Sequence, residues 1–141
     1  MIGQPKKIFI TKTHWEEMLE DVEQKDPNEA CGLLAGSIIK RGYKVLSVIP
    51  TQNVLHSPYR YQVEPEEQLK AFIQIEEKGW ELLGTFHSHP DGPETPSQTD
   101  IIEAYYPEVV HLIWSKRNGR WKCRGFLIRD GLVVEVLVKV E

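Results

Sequence analysis

The sequence predicts an α+β domain, a mostly antiparallel, mixed β-sheet flanked by helices. Three observations predict it. In the last third, Asn118-Gly119 and Asp130-Gly131 separate runs rich in β-branched and apolar residues, the strongest short-range signal for a hairpin. Two earlier segments carry apolar residues at helical spacing behind helix-start signals. With 141 residues, 40% of them apolar, the chain has the size at which one domain builds one core. Residues 1–141 are therefore expected to form a single domain.

Ile8-Phe9-Ile10, set between polar residues, reads as the first strand. Thr13-His14-Trp15-Glu16 has the form of a capping box, and Trp15, Met18, Leu19 and Val22 then share one helix face. Cys31 to Ile39 and Tyr43 to Asn53 read as two strands about the turn Lys40-Arg41-Gly42, followed by a loop containing Pro58. Glu64-Pro65-Glu66-Glu67 opens a helix with proline and acids in its first turn; Leu69, Phe72 and Ile73 continue the pattern, and Gly79 offers a C-cap after about Lys78. Trp80 to His89 reads as a strand with Leu83, Thr85, His87 and His89 on one face. Ser97 to Tyr106 is a candidate helix, and Val109 to Ser115, Arg120 to Arg129 and Leu132 to Val140 are the closing strands.

A formal charge of −4 supplies no basic footprint, which sets nucleic acid aside as a partner. No window approaches eighteen uninterrupted apolar residues, and MIGQPKKIFITK lacks the apolar core of a signal peptide, so no membrane association and a cytoplasmic location are expected. The two cysteines, Cys31 and Cys123, lack C-x-x-C spacing and are read as small buried hydrophobes.

The chemistry concentrates in Gly84 to Asp100, GTFHSHPDGPETPSQTD. On a strand, His87 and His89 point the same way, roughly 6–7 Å apart along the backbone, so both imidazoles can reach one ion. Asp100 lies eleven residues further on, across a loop stiffened by Pro90, Pro93 and Pro96, at a place from which a carboxylate could swing back. Two imidazoles and one carboxylate make three ligands, the count of a catalytic zinc site whose fourth position holds water. Zinc would lower the pKa of that water from about 15.7 toward roughly 7, which points to hydrolysis. Ser97-x-x-Asp100 also reads as a plain helix cap, and the two readings are compatible. Asp91 and Glu94 are alternative ligands in the loop; His14, His56 and His111 lack such partners and are read as exposed or as satisfied core residues.

His87-Ser88-His89-Pro90, six residues, and then Ser97-Gln98-Thr99-Asp100 resemble the H-x-H-P and S-x-x-D signature of the JAMM/MPN+ zinc metallopeptidases, and Glu29-Ala30-Cys31-Gly32-Leu33-Leu34-Ala35-Gly36 is similar to the family's upstream glutamate segment. The pattern covers roughly residues 6 to 138. The resemblance implies a cytidine-deaminase-like MPN (JAB) domain with one zinc per chain held by His87, His89 and Asp100, with Glu29 as general base for zinc-bound water and Ser97 stabilising the oxyanion. Chemistry alone leaves Glu64, Glu76 and Glu81 as equal candidates for the base. The resemblance further implies hydrolysis of the bond after the C-terminal Gly-Gly of a ubiquitin-like or sulfur-carrier protein, and small members act on the prokaryotic ones. At 141 residues the chain is too short for the large insertions of chain-selective deubiquitinases, which favours a minimal enzyme. The other reading within the family is a non-catalytic MPN scaffold module, against which the intact residue set argues. A nucleoside-deaminase-type use of zinc lacks its H-x-E and P-C-x-x-C ligands.

Overall fold

The computed structural model describes residues 4–141. They form seven strands, β1 (Lys7–Ile10), β2 (Cys31–Ile39), β3 (Gly42–Thr51), β4 (Glu81–His89), β5 (Val110–Arg117), β6 (Arg120–Arg129) and β7 (Leu132–Val140), and three helices, α1 (Lys12–Lys25), α2 (Pro65–Glu77) and α3 (Gln98–Ile102). The sheet is mixed, as expected. The β2·β3, β2·β4, β5·β6 and β6·β7 pairs are antiparallel, and β1·β3, β1·β7 and β4·β5 are parallel.

One expectation changes: the sheet closes on itself as a barrel, in the order β1-β3-β2-β4-β5-β6-β7. The short strand β1 does this by pairing with β3 at Tyr43 and Lys44 and with β7 from Leu137 to Val140. Where β1 pairs, closure covers backbone N–H and C=O groups of β3 and β7 that a free sheet edge would present. One cluster of buried side chains joins Ile8, Leu34, Phe86, Leu112, Trp114 and Val136 to Met18 and Val22 of α1. Each such large apolar side chain contributes roughly 1.5–3 kcal/mol relative to exposure.

The strands β2, β6 and β7 have the bounds read from sequence. Both Asx-Gly turns put two residues at positive φ, Asn118 at 53° with Gly119 at 75° and Asp130 at 51° with Gly131 at 79°, the requirement of a type I′ hairpin. The helices depart further. The cap of α1 is Thr11, whose Oγ1 accepts from the His14 amide at 3.0 Å while His14 Nδ1 accepts from the Thr11 amide at 3.2 Å. An imidazole therefore does the work assigned to Glu16, two residues earlier than expected. On α2 the buried residues are Ala71 and Ile75, whereas Leu69, Phe72 and Ile73 are 60%, 41% and 48% exposed. Its packed face is thus narrower than the apolar pattern suggests and rotated from it. α3 stops at Ile102 rather than Tyr106, ahead of Pro107, which disfavours helical geometry at the residue before it.

Gly84 lets β4 approach β5 closely. A Cβ there would lie 2.4 Å from the carbonyl oxygen of Val110, so only glycine fits, and the segment bearing both histidines is held against β5 with His87 opposite Ile113 and His89 opposite Ser115.

Candidate metal centre

Strand alternation sorts the end of β4. Phe86 joins the core, and Ser88, fully buried, bonds the backbone of Ala30 through both its hydroxyl and its amide, at 2.7 and 3.1 Å. His87 and His89, 0% and 4% exposed, share the opposite direction. Their Nε2 atoms are 3.1 Å apart, and Asp100 Oδ2 lies 3.1 Å from the first and 3.2 Å from the second. Asp100 reaches this point from the first turn of α3, where its Oδ2 also accepts from the Ser97 amide at 2.9 Å and Ser97 Oγ accepts from the Asp100 amide at 3.0 Å. Because the Ser97 oxygen acts only as an acceptor in that cap, its own proton is free to be donated elsewhere.

The donor set fits a zinc ion. His89 Nδ1 lies 2.8 Å from the Pro93 carbonyl oxygen; the proton it donates there fixes the tautomer and leaves the Nε2 lone pair facing its neighbours. His89 Nε2, Asp100 Oδ2 and, in its Nδ1–H tautomer, His87 Nε2 can all offer electron pairs to one cation. Ligand atoms about 2.0–2.1 Å from a tetrahedral zinc are separated by about 3.3 Å, close to the edges of this triangle. Burial opposes ionisation of Asp100, but the two imidazoles and the Ser97 amide outweigh it and hold the carboxyl far below the usual range. Burial drives His87 below its ordinary value despite Asp100. At His89 burial acts in the same direction, yet the bonds to Asp100 and the Pro93 carbonyl prevail and raise it.

Glu29, 3% exposed, lies beside the histidines. Glu29, His87 and His89 each offer a ligand-type atom, and all three atoms lie within 4.8 Å of one another, a looser group than the triangle with Asp100. Burial pushes the Glu29 carboxyl up to about 8, with the charge of His89 pulling against it. Its peptide is held firmly, since the Glu29 amide donates to Ser57 O at 2.8 Å and the Glu29 carbonyl accepts from Asn53 Nδ2 at 3.1 Å. The other acids are elsewhere. Glu64 caps α2 through the Glu67 amide at 2.7 Å, Glu94 pairs with Lys122 at 3.0 Å, and Glu76, Glu81 and Asp91 are exposed.

Three further residues shape the centre and were not singled out by sequence. Tyr61 stacks on His87, with ring centroids 4.6 Å apart and planes at 27°; Asn53 and Ser88 hold the backbone beside Glu29. A tyrosine or asparagine in a loop carries no local mark of burial; for Ser88 the signal was its place between two like-facing histidines. His111 is not the satisfied core residue expected: it is 8% exposed with neither ring nitrogen bonded, and burial together with His87 pushes it down to about 4. Cys31 and Cys123 are both free thiols; Cys31 is buried, and burial pushes its thiol up to about 11.

Residues 11–124 match the family model described as prokaryotic homologs of the JAB domain. The chain belongs to the prokaryotic JAB family. This JAB chain is 35% identical over 132 residues, 93% of its length and 82% of the relative's, to a Thermus thermophilus protein named "Probable TtuB-protein conjugate cleaving protease". It is 32% identical over 124 residues, 87% of its length and 84% of the relative's, to the CysO-cysteine peptidase of Mycobacterium tuberculosis. A protein of Desulfitobacterium hafniense, solved in solution, superposes with a TM-score of 0.86 at 38% identity over 95% of this chain and 92% of that one.

Proposed function

We propose that this JAB chain is a zinc metallopeptidase or isopeptidase that hydrolyses the bond after the C-terminal Gly-Gly of a ubiquitin-like or sulfur-carrier protein. The observation that carries the reading is the triangle of His87 Nε2, His89 Nε2 and Asp100 Oδ2, with edges of 3.1–3.2 Å, beside the buried carboxyl of Glu29. The names of the relatives, a TtuB-conjugate protease and a CysO-cysteine peptidase, support the substrate class.

In this proposal His87, His89 and Asp100 hold one zinc per chain, and Asp100 brings the single negative charge. Bound zinc supplies a Lewis acid and a water made acidic enough to attack at neutral pH. A carboxylate oxygen of Glu29 takes the proton the attacking water loses and returns it to the nitrogen of the departing amine, a role typically worth ~10²–10⁴-fold. Ser97 donates its free hydroxyl proton to the carbonyl oxygen as negative charge develops there. A Gly-Gly tail suits such a centre because, without side chains, it can pass through a narrow groove and add to a strand. Residues 1–141 acting as one domain of cytidine-deaminase-like layering, and a cytoplasmic location, belong to the same proposal; no helix among the described residues is long and apolar enough to cross a membrane.

The test is a zinc measurement coupled to cleavage across a panel of carrier proteins fused after Gly-Gly, for the natural chain and for Glu29→Gln. The natural chain should hold about one zinc and cut at the junction. The variant should keep the metal and lose at least ~10²-fold in kcat. A metal-free natural chain that cannot be loaded, or undiminished cleavage by Glu29→Gln, would overturn the reading.

A further inference from the structure

Asn53 lies two residues beyond the end of β3 and is 6% exposed. Its side chain makes all four bonds that a primary amide offers. Nδ2 donates to Glu29 O at 3.1 Å and to Arg60 O at 3.0 Å, while Oδ1 accepts from the Leu55 amide at 3.0 Å and the Gln62 amide at 3.1 Å. Only one orientation of the amide satisfies this set, because the reverse would set oxygen against two carbonyls and NH₂ against two amides. The backbone of Asn53 adds a bridge to Val63 and accepts from the His56 amide at 3.2 Å. One side chain thus cross-links both legs of the loop between β3 and α2 to each other and to the peptide of Glu29. The same loop gives the Ser57 carbonyl to the Glu29 amide at 2.8 Å and carries Tyr61, stacked on His87.

We propose that Asn53 is a positioning residue for the hydrolytic centre: it locks the loop that carries Tyr61 onto the Glu29 peptide, so that the carboxyl of Glu29 and the ring over His87 are set as one rigid unit. The inference rests on the role proposed above for Glu29 and adds the residue that fixes its placement. The Asn53 side chain bonds the backbone of Glu29, Leu55, Arg60 and Gln62 and makes no bond to the Glu29 carboxyl or to either imidazole. Its effect passes through backbone geometry, and a displacement near 1 Å at a reacting group can cost about 10²-fold in rate. Of the four bonds, the one to the Glu29 carbonyl is fully buried and is the costliest to leave unmade, since an unpaired buried acceptor keeps its desolvation penalty.

The test compares the full-length zinc-loaded chain with Asn53→Ala and Asn53→Asp, by amide hydrogen exchange at single residues and by steady-state cleavage of a Gly-Gly-terminated carrier fusion. In Asn53→Ala, protection at Leu55, Gln62 and Glu29 should fall at least tenfold while that of Phe86 and His87 on β4 is kept; kcat should fall about 10²-fold with KM within about threefold. Asn53→Asp keeps both acceptors and loses both donors, so Leu55 and Gln62 should stay protected while kcat still falls. Unchanged protection at the loop and Glu29 would overturn the inference, as would loss spread evenly over β4 and β5, or a rise in KM with kcat intact. Should the natural chain cleave no carrier fusion, the functional reading fails by itself, and the exchange pattern alone decides whether Asn53 locks the loop to Glu29.

Discussion

Ser97 and Asp100 hold each other's backbone: the hydroxyl of the first accepts the amide of the second at 3.0 Å, and Oδ2 of the second accepts the amide of the first at 2.9 Å. That same Oδ2 faces both imidazoles at 3.1 and 3.2 Å. One oxygen therefore caps the start of α3 and lies beside both imidazoles, so the cap read from the sequence is present and leaves the same carboxylate facing the histidines.

Asp100→Asn separates the two roles. An amide oxygen can still cap, but it brings no negative charge to the two imidazoles. Zinc affinity should fall by more than the ~10–100-fold typical of losing an outer partner, while the melting temperature of the chelator-treated protein moves little. Competition against a coloured chelator measures the first and a thermal melt the second.

Ser97→Ala removes both a cap and a hydroxyl donor. The cap costs about 1 kcal/mol; the donor, if it stabilises the oxyanion, costs ~10²–10³-fold in kcat. Ser97→Thr should restore the stability and most of the turnover. Comparing urea midpoints with kcat for the two variants separates these effects.

His111 should make the protein acid-sensitive. Burial first, and the charge of His87 second, lower its folded value to about 4 from an ordinary 6.5. The unfolded chain therefore binds the proton more readily. This contribution to stability is complete above about pH 6.5 and is lost as pH falls toward 4, by up to roughly 3 kcal/mol. His111→Leu, which leaves no unbonded ring nitrogen buried, should flatten that part of the curve. Urea midpoints of both proteins between about pH 7.5 and 4 give the comparison.

Gly84→Ala should be costly although it adds one methyl group. The new Cβ would meet the Val110 carbonyl oxygen at 2.4 Å, and backbone cannot rotate away as a side chain can. A loss of ~1–3 kcal/mol or more is expected, with lowered zinc content because the strand bearing both histidines must shift. Denaturant unfolding and metal analysis test the two parts.

Much of this was legible because local chemistry demands it. Asn118-Gly119 and Asp130-Gly131 tolerate positive φ, so the hairpins follow; Ser97-x-x-Asp100 marks a cap, and His87 and His89 must share a side of any strand. What was illegible depends on contacts distant in sequence. Nothing in Lys7–Ile10 says that it pairs in parallel on both sides and closes the sheet, because parallel pairing leaves no turn signal next to it. The face of α2 was misjudged because Leu69, Phe72 and Ile73 look like core positions, yet the sheet receives Ala71 and Ile75. Glu29 could be distinguished from Glu64, Glu76 and Glu81 only by family likeness, since its approach to the histidines arises from the β2·β4 pairing. Asn53 gave no sign at all: its partners lie on three separate stretches of chain.

The position of Ser88 sets a limit on how this protein can change. Residue 88 is anchored inward while its two neighbours point the other way, so inserting or deleting one residue of β4 ahead of His87 would exchange the two directions, turning the imidazoles toward the barrel and the serine toward Asp100. Side-chain replacements in this strand can be graded in effect, whereas changes of length there are all or nothing. Beyond Pro93, whose carbonyl fixes His89, length has only to let Asp100 return, and there the chain can grow or shrink.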